Sequence, residues 1–202
     1  MEWLVIIALA AVVIYFLRSR GKPQVSLSHL PERFVVFDLE TTGLDPEKHE
    51  IIEFGAIRVN RDSVNHDTFQ SLVKPSRKVP KKITELTGIN QAMLDADGKP
   101  IEAALQDFLN FVGDLHLVSF NADFDMAFLQ KAAAKHSISI HNPVSCALKM
   151  SRRAWPGRKS YRLADLAKDG NLGSDGTHRA LGDCQRALIV YTAAASKLGT
   201  VR

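Results

Sequence analysis

Three short apolar runs follow one another through the first part of the chain: FVVFDLE from Phe34, IIEFGAIRV from Ile51 and DTFQSLVKP from Asp67. Runs of this length, rich in Val, Ile and Phe and bounded by Gly, Pro, Asp and Asn, read as β-strands. Three in succession with short connections predict an antiparallel meander, which must be covered to be stable. The period then becomes helical. KKITELTG predicts a short helix closed by Gly88, and PIEAALQDFLNFVG an amphipathic one opened by Pro100 and closed by Gly113. HLVSF returns to strand, ADFDMAFLQKAAAKH to helix, and the apolar piece NPVSCALKM carries a fifth strand. YRLADLAKDG and HRALGDCQRALIVYTAAASKL finish the chain as helices. A strand meander followed by helices alternating with strands predicts an α/β fold: a mixed five-stranded sheet, meander plus parallel strands, flanked by helices.

A chain of 202 residues holds one well-buried domain with an appendage, and its 46% hydrophobic and 24% charged content excludes disorder as the state of the bulk. The net charge of +4 is mild but uneven. KPSRKVPKK (74 to 82) and KMSRRAWPGRKSYR (149 to 162) hold much of the positive charge, and they read either as guides for a polyanion or as solvated surface. Cys146 and Cys184, without CxxC or metal-like spacing, suit a reducing compartment and small buried positions.

The appendage is N-terminal. WLVIIALAAVVIYFL, residues 3 to 17, has no charge and no helix breaker. As a helix it would reach about 22 Å against a hydrocarbon core of roughly 30 Å, so spanning requires local thinning or snorkelling by Arg18 and Arg20. A cleavable signal peptide fits less well, because the chain starts Met1-Glu2 and no small-x-small site follows the apolar run. The basic residues Arg18, Arg20 and Lys22 lie on its C-terminal side, which by the positive-inside rule puts the N-terminus outside and the domain in the cytoplasm. The expected organisation is a single-pass anchor of the inner membrane over 1–18, a linker over 19–33, and a catalytic domain over 34–202.

The acidic residues carry the chemical signal. Asp38 and Glu40 are two apart at the end of the first strand, so their carboxylates point to one side. Like charges placed together suggest a divalent cation between them, though an exposed edge pair would show the same spacing. NADFDMAF adds Asp123 and Asp125 at a strand-to-helix junction, and spacing alone does not choose between them. In GTHRALGDC, His178 precedes Asp183 by five residues. On one continuous helix these would diverge by roughly 140°, so a shared task requires His178 to sit on the preceding turn. A histidine there is a candidate base, or simply a cap or surface residue.

FDLETTG, NADFD and HRALGD, in this order and at these intervals, resemble the three motifs of the DEDDh 3′-to-5′ exonucleases, with similarity to the proofreading epsilon subunit of bacterial DNA polymerase III and its stand-alone relatives. The likeness extends over roughly residues 34 to 197, the apolar N-terminal segment lying outside it. It implies a ribonuclease H-like fold, with Asp38, Glu40, Asp125 and Asp183 as metal-binding carboxylates and His178 as general base. Asp125 is preferred to Asp123 because the family's second motif ends in Phe-Asp, here Phe124-Asp125. Thr41, Gly43, Leu44, Glu53, Asn121 and Phe124 fall where the terminal nucleotide would be held. Phe120 stands where many relatives have histidine, at a position that is not a metal ligand.

The resemblance further implies two Mg²⁺ or Mn²⁺ ions, with Asp38 bridging them, Glu40 and Asp183 completing one site and Asp125 serving the other. The expected reaction is release of nucleoside 5′-monophosphates from the 3′ end of single-stranded nucleic acid, DNA favoured. The alternatives are a 3′-to-5′ exoribonuclease and a catalytically idle nucleic-acid or protein binding module. The expected partners are nucleic-acid 3′ ends and the membrane, with a polymerase partner left open. Trp155, Tyr161 and Phe124 are candidates for stacking on bases.

Overall fold

A computed structural model describes residues 30–63, 65–169 and 178–199. The expected membrane anchor over 1–18 and all but the end of the linker lie outside the described residues, and among the described residues no helix is long and apolar enough to cross a membrane.

The expected meander is present as β1 (Arg33–Thr41), β2 (Ile51–Asn60) and β3 (Asp67–Leu72), each antiparallel to the next. β4 (His116–Ser119) and β5 (Val144–Cys146) add in parallel on the other side of β1, giving the sheet order β3-β2-β1-β4-β5. The helices are α1 (Lys81–Thr87), α2 (Gln91–Asp97), α3 (Ile101–Val112), α4 (Ala122–Lys135), α5 (Ala147–Ala154), α6 (Leu163–Lys168) and α7 (Ala180–Gly199). The fold is therefore the expected α/β arrangement, a mixed five-stranded sheet between helices.

Two helices exceed the expected pattern. α2 starts where the Asn90 side chain accepts a hydrogen bond from the Met93 N–H at 3.0 Å, a local cap with no apolar periodicity to announce it. α5 replaces most of the expected fifth strand, which ends at Cys146. Ala147, Ser151 and Ala154 repeat at helical spacing and are buried, so the basic pair Arg152 and Arg153 is left on the outer face of a helix.

β1 is apolar throughout its first half because both faces are covered. Val35, Phe37 and Leu39 pack with Phe54, with Leu105 and Phe108 of α3, and with Phe128 and Leu129 of α4. Phe34 and Val36 face the other way, packing with Ile57, Val118 and α7 residues Cys184, Ala187, Leu188 and Tyr191. Alternation along the strand then sends Asp38 and Glu40 to the α7 face. Gly55, paired with Asp38 across the β1/β2 ladder, lets α7 begin there: a Cβ on it would stand 2.5 Å from the Ala180 carbonyl carbon and 2.6 Å from the Leu181 nitrogen. A register shift after Glu40 ends the regular ladder, and the chain turns into the loop that leads to β2.

Candidate active site

The site lies where β1 ends beneath the first turn of α7. Asp38, Glu40 and Asp183 each offer a carboxylate oxygen within 4.8 Å of the others. Glu40 and Asp183 are buried and Asp38 is half-buried. Gathering three carboxylates away from water raises the free energy of their charged forms. Burial, and then the charges of Asp125, Asp183, Glu40 and Glu53, push the Asp38 carboxyl well above the usual range. Glu40 is pushed up to about 8, by burial first and then by Asp183, Glu53 and Asp125, with Arg179 opposing. A cation would relieve the same repulsion. An all-oxygen, all-carboxylate donor set suits a hard divalent ion such as Mg²⁺ or Mn²⁺, and the residues fit that group.

Asp125 is the inward-facing member of the NADFD pair. It is buried in the first turn of α4, where Oδ1 accepts from the Leu39 N–H at 3.2 Å and Oδ2 accepts from the Ser119 hydroxyl. Burial pushes its carboxyl up to about 7 although both hydrogen bonds pull it down. Asp125 thus stands beside Asp38 without belonging to the three-carboxylate cluster. Asp123 is exposed and paired with Lys149 at 2.7 Å, on the outside of the same helix.

His178 precedes α7 rather than lying in it, as the shared-task geometry requires. Its backbone N–H donates to the Leu86 carbonyl at 3.1 Å, tying the approach to α7 to the end of α1. Its side chain is 53% exposed, and Nδ1 lies 3.2 Å from Asp183 Oδ2. The imidazole is neither buried in the core nor within the carboxylate cluster.

The loop between β1 and β2 forms one wall. Thr41 Oγ1 donates to the Gly43 carbonyl at 2.7 Å, and the Thr42 N–H donates to the Glu50 carbonyl at 2.8 Å. The His49 ring packs against Gly43, where a Cβ would stand 2.4 Å from it. Leu44 projects from this loop 82% exposed. Asn121 is also exposed, at the start of α4, and its carbonyl accepts from the Phe124 N–H at 2.9 Å.

Three of the expected contact residues are engaged within the fold. Glu53, expected near the terminal nucleotide, is fully buried and holds the start of α7. Its carboxylate accepts from Arg179 Nη2 at 2.6 Å, Arg179 Nε at 3.1 and 3.2 Å, the Ala180 N–H at 2.9 Å and Gln70 Nε2 at 2.9 Å. A carboxylate at a helix start is favourable, because the first N–H groups there have no helical acceptor. Phe124 is half-buried and packs on Phe128 with ring centroids 5.0 Å apart and the rings tilted by 51°. Tyr161 is a loop brace: its hydroxyl donates to the Trp155 carbonyl at 2.6 Å and Arg152 lies over its ring. The sequence reasoning also missed Arg179, Gly55, Ser119 and Arg186. All four lay inside quoted segments, but nothing local announced what they touch.

Residues 35–191 match the Exonuclease (RNase_T) family. The chain is 41% identical over 160 residues to DNA polymerase III subunit epsilon of Aquifex aeolicus (strain VF5), a match covering 78% of each chain. It is 36% identical over 174 residues to DNA polymerase III PolC-type of Clostridium perfringens (strain 13 / Type A), covering 84% of this chain but only 12% of that much longer protein. Among solved structures, Exonuclease X in complex with 5′ overhanging duplex DNA superposes with a TM-score of 0.61 at 28% identity, over 79% of this chain and 90% of that one. With a family match spanning most of the described domain and a relative this similar along most of its own length, the chain belongs to the exonuclease family.

Proposed function

We propose that the protein is a divalent-metal-dependent 3′-to-5′ exonuclease that removes nucleoside 5′-monophosphates from single-stranded ends, DNA in preference to RNA. The observation that carries this reading is the cluster of Asp38, Glu40 and Asp183 with an exposed imidazole on its edge. A binding module for a polyanion has no use for converging negative charge, whereas a phosphodiester hydrolase needs it to hold cations. Support for DNA comes from the epsilon relative and from the DNA-bound Exonuclease X.

Asp38, Glu40 and Asp183 would hold the ions, with Asp125 contributing to a second position. Bound there, a pair of Mg²⁺ or Mn²⁺ ions supplies charge neutralisation of the phosphodiester and a lowered water pKa. His178 takes the proton. With Nδ1 directed at Asp183 Oδ2, the neutral ring carries its hydrogen on Nδ1 and leaves Nε2 as the acceptor for a proton from the attacking water. Exposed Leu44 would offer an apolar surface to the terminal base, and Thr41, Gly43 and exposed Asn121 would help to hold that nucleotide.

The test uses the full chain with an oligonucleotide labelled at its 5′ end, in Mg²⁺ or Mn²⁺. A ladder shortening from the 3′ end one residue at a time, with mononucleotide product and full inhibition by EDTA, is expected. Matched RNA should be cut more slowly. A bound but uncut strand would instead establish the idle binding module, and faster cutting of RNA the exoribonuclease.

Residues 3–17 carry the further proposal of attachment to the inner membrane, with the domain facing the cytoplasm. Full-length protein should sediment with membranes, and deletion of residues 1–18 should release an active domain. Recovery of full-length protein in the soluble fraction would overturn the anchor.

A further inference from the structure

Arg186 lies three residues beyond Asp183 on α7, one turn along the same helix face. Both residues are buried, at 9% and 5% exposure. Arg186 Nε and Nη2 converge on a single oxygen, Asp183 Oδ1, at 2.9 and 2.7 Å. A guanidinium facing a carboxylate commonly spans both oxygens. Here it takes one oxygen twice, and Oδ2 is left to point at His178. The guanidinium lies along its own helix, 3.7 and 3.9 Å from where a Cβ on Gly182 would stand.

A buried ion pair is weak evidence for a stabilising role, because desolvating both partners offsets most of their attraction. The pair's location is more informative, since one partner is a member of the acidic cluster. We propose that Arg186 is a positioning residue: it fixes the Asp183 carboxylate through Oδ1, leaves Oδ2 to hold His178, and adds a positive charge beside the acidic cluster that loosens cation binding. The proposal rests on the metal-dependent reading above, and goes beyond it by assigning the cluster a residue that sets both its geometry and its affinity. Three consequences follow from the placement. Oδ1 of Asp183 is engaged by the guanidinium, the His178 ring is aligned by Oδ2, and a bound cation would stay exchangeable.

The test separates charge from geometry with two variants of the full chain. Arg186→Met removes the charge and the fork, while Arg186→Lys keeps the charge and loses the fork. Mn²⁺ binding is read on the protein alone, by titration calorimetry or by loss of the free-ion paramagnetic signal. Cleavage kinetics are read separately, and a thermal melt confirms folding. Arg186→Met should bind Mn²⁺ at least threefold more tightly than the wild type while kcat falls about tenfold or more and KM for the oligonucleotide stays within about twofold. Arg186→Lys should keep Mn²⁺ affinity within about twofold of the wild type, with kcat reduced at least threefold. Mn²⁺ binding by Arg186→Met no tighter than the wild type, or an unchanged kcat in either folded variant, overturns the proposal. If Arg186→Met does not fold, the kcat of Arg186→Lys decides alone. Tighter Mn²⁺ binding by Arg186→Met in a protein whose wild type cuts no strand would refute the nuclease reading and leave the effect of Arg186 on cation binding standing.

Discussion

Asp38→Asn is expected to lower kcat by on the order of a thousandfold, about 4 kcal/mol of transition-state stabilisation, while making the ion-free protein more stable. The two effects have one cause. Asp38 is the β1 carboxylate held between the α7 and α4 acids, and burial and then its acidic neighbours raise its carboxyl well above the usual range. Glu40 and Asp125 are likewise pushed up, to about 8 and about 7. Between about pH 4.5 and 8 the folded protein therefore binds protons that the unfolded chain has released. The contribution of these groups to stability is full below the ordinary carboxylate pKa and is lost as pH rises toward 8. In EDTA the melting temperature should fall with rising pH over this window, and the gain on adding Mn²⁺ should grow over the same window. Replacing Asp38 by Asn removes one of the mutually repelling charges. Its melting temperature at pH 8 in EDTA should rise by roughly 2–4 °C for each kcal/mol of repulsion relieved, and the pH slope should flatten. Thermal melts across pH, alongside cleavage rates, check both halves. A less stable variant that still cuts would contradict the site.

Glu53→Ala is expected to destabilise the domain by about 3 kcal/mol and to reduce activity by more than the loss of folded protein explains. Glu53 is fully buried and closes four groups: the Nε and Nη2 of Arg179, the Ala180 N–H and the Gln70 amide. Truncation leaves the Ala180 N–H without its acceptor at a buried helix start and removes the partner of a guanidinium. The side chain of Arg179 is 36% exposed and can turn to water, which keeps the cost at the low end for a broken buried pair. The activity effect arises because His178 immediately precedes Arg179 and Asp183 lies four residues after it. Loosening the start of α7 displaces both His178, the proposed base, and Asp183, a proposed metal-binding carboxylate. Glu53→Gln, which keeps the shape and one acceptor oxygen, should fall between the two. Denaturant unfolding gives the stability change, and kcat per folded molecule gives the rest. Full activity in a folded Glu53→Ala protein would show that the clamp does not position the site.

Much of the site was legible because its signals are local. DLE places two carboxylates on one face whatever surrounds the strand, since side chains alternate along β-structure. The five-residue interval from His178 to Asp183 demanded that the histidine leave the helix, and α7 does begin at Ala180. Gly88 and Gly113 end their helices as their positions suggested, both with positive φ. Composition and spacing could not choose between Asp123 and Asp125. The choice depended on which face of α4 meets the sheet, and Leu39 and Ser119 come to Asp125 from β1 and β4.

By itself the sequence determined the meander, the helical periods that cover it, the paired carboxylates of β1 and the order of the three acidic motifs. These follow from periodicities of two and 3.6 residues and from turn chemistry, which act over a few residues at a time. Only the tertiary structure decided that Glu53 braces a helix, that Phe124 packs on Phe128, that Tyr161 reaches the Trp155 carbonyl, and that Arg186 occupies one oxygen of Asp183. The link from Glu53 to Arg179 joins positions 126 residues apart. No local pattern encodes such a pair. It forms because Gly55 leaves room for α7 to lie on β2, and burial then requires every charge brought together there to find a partner.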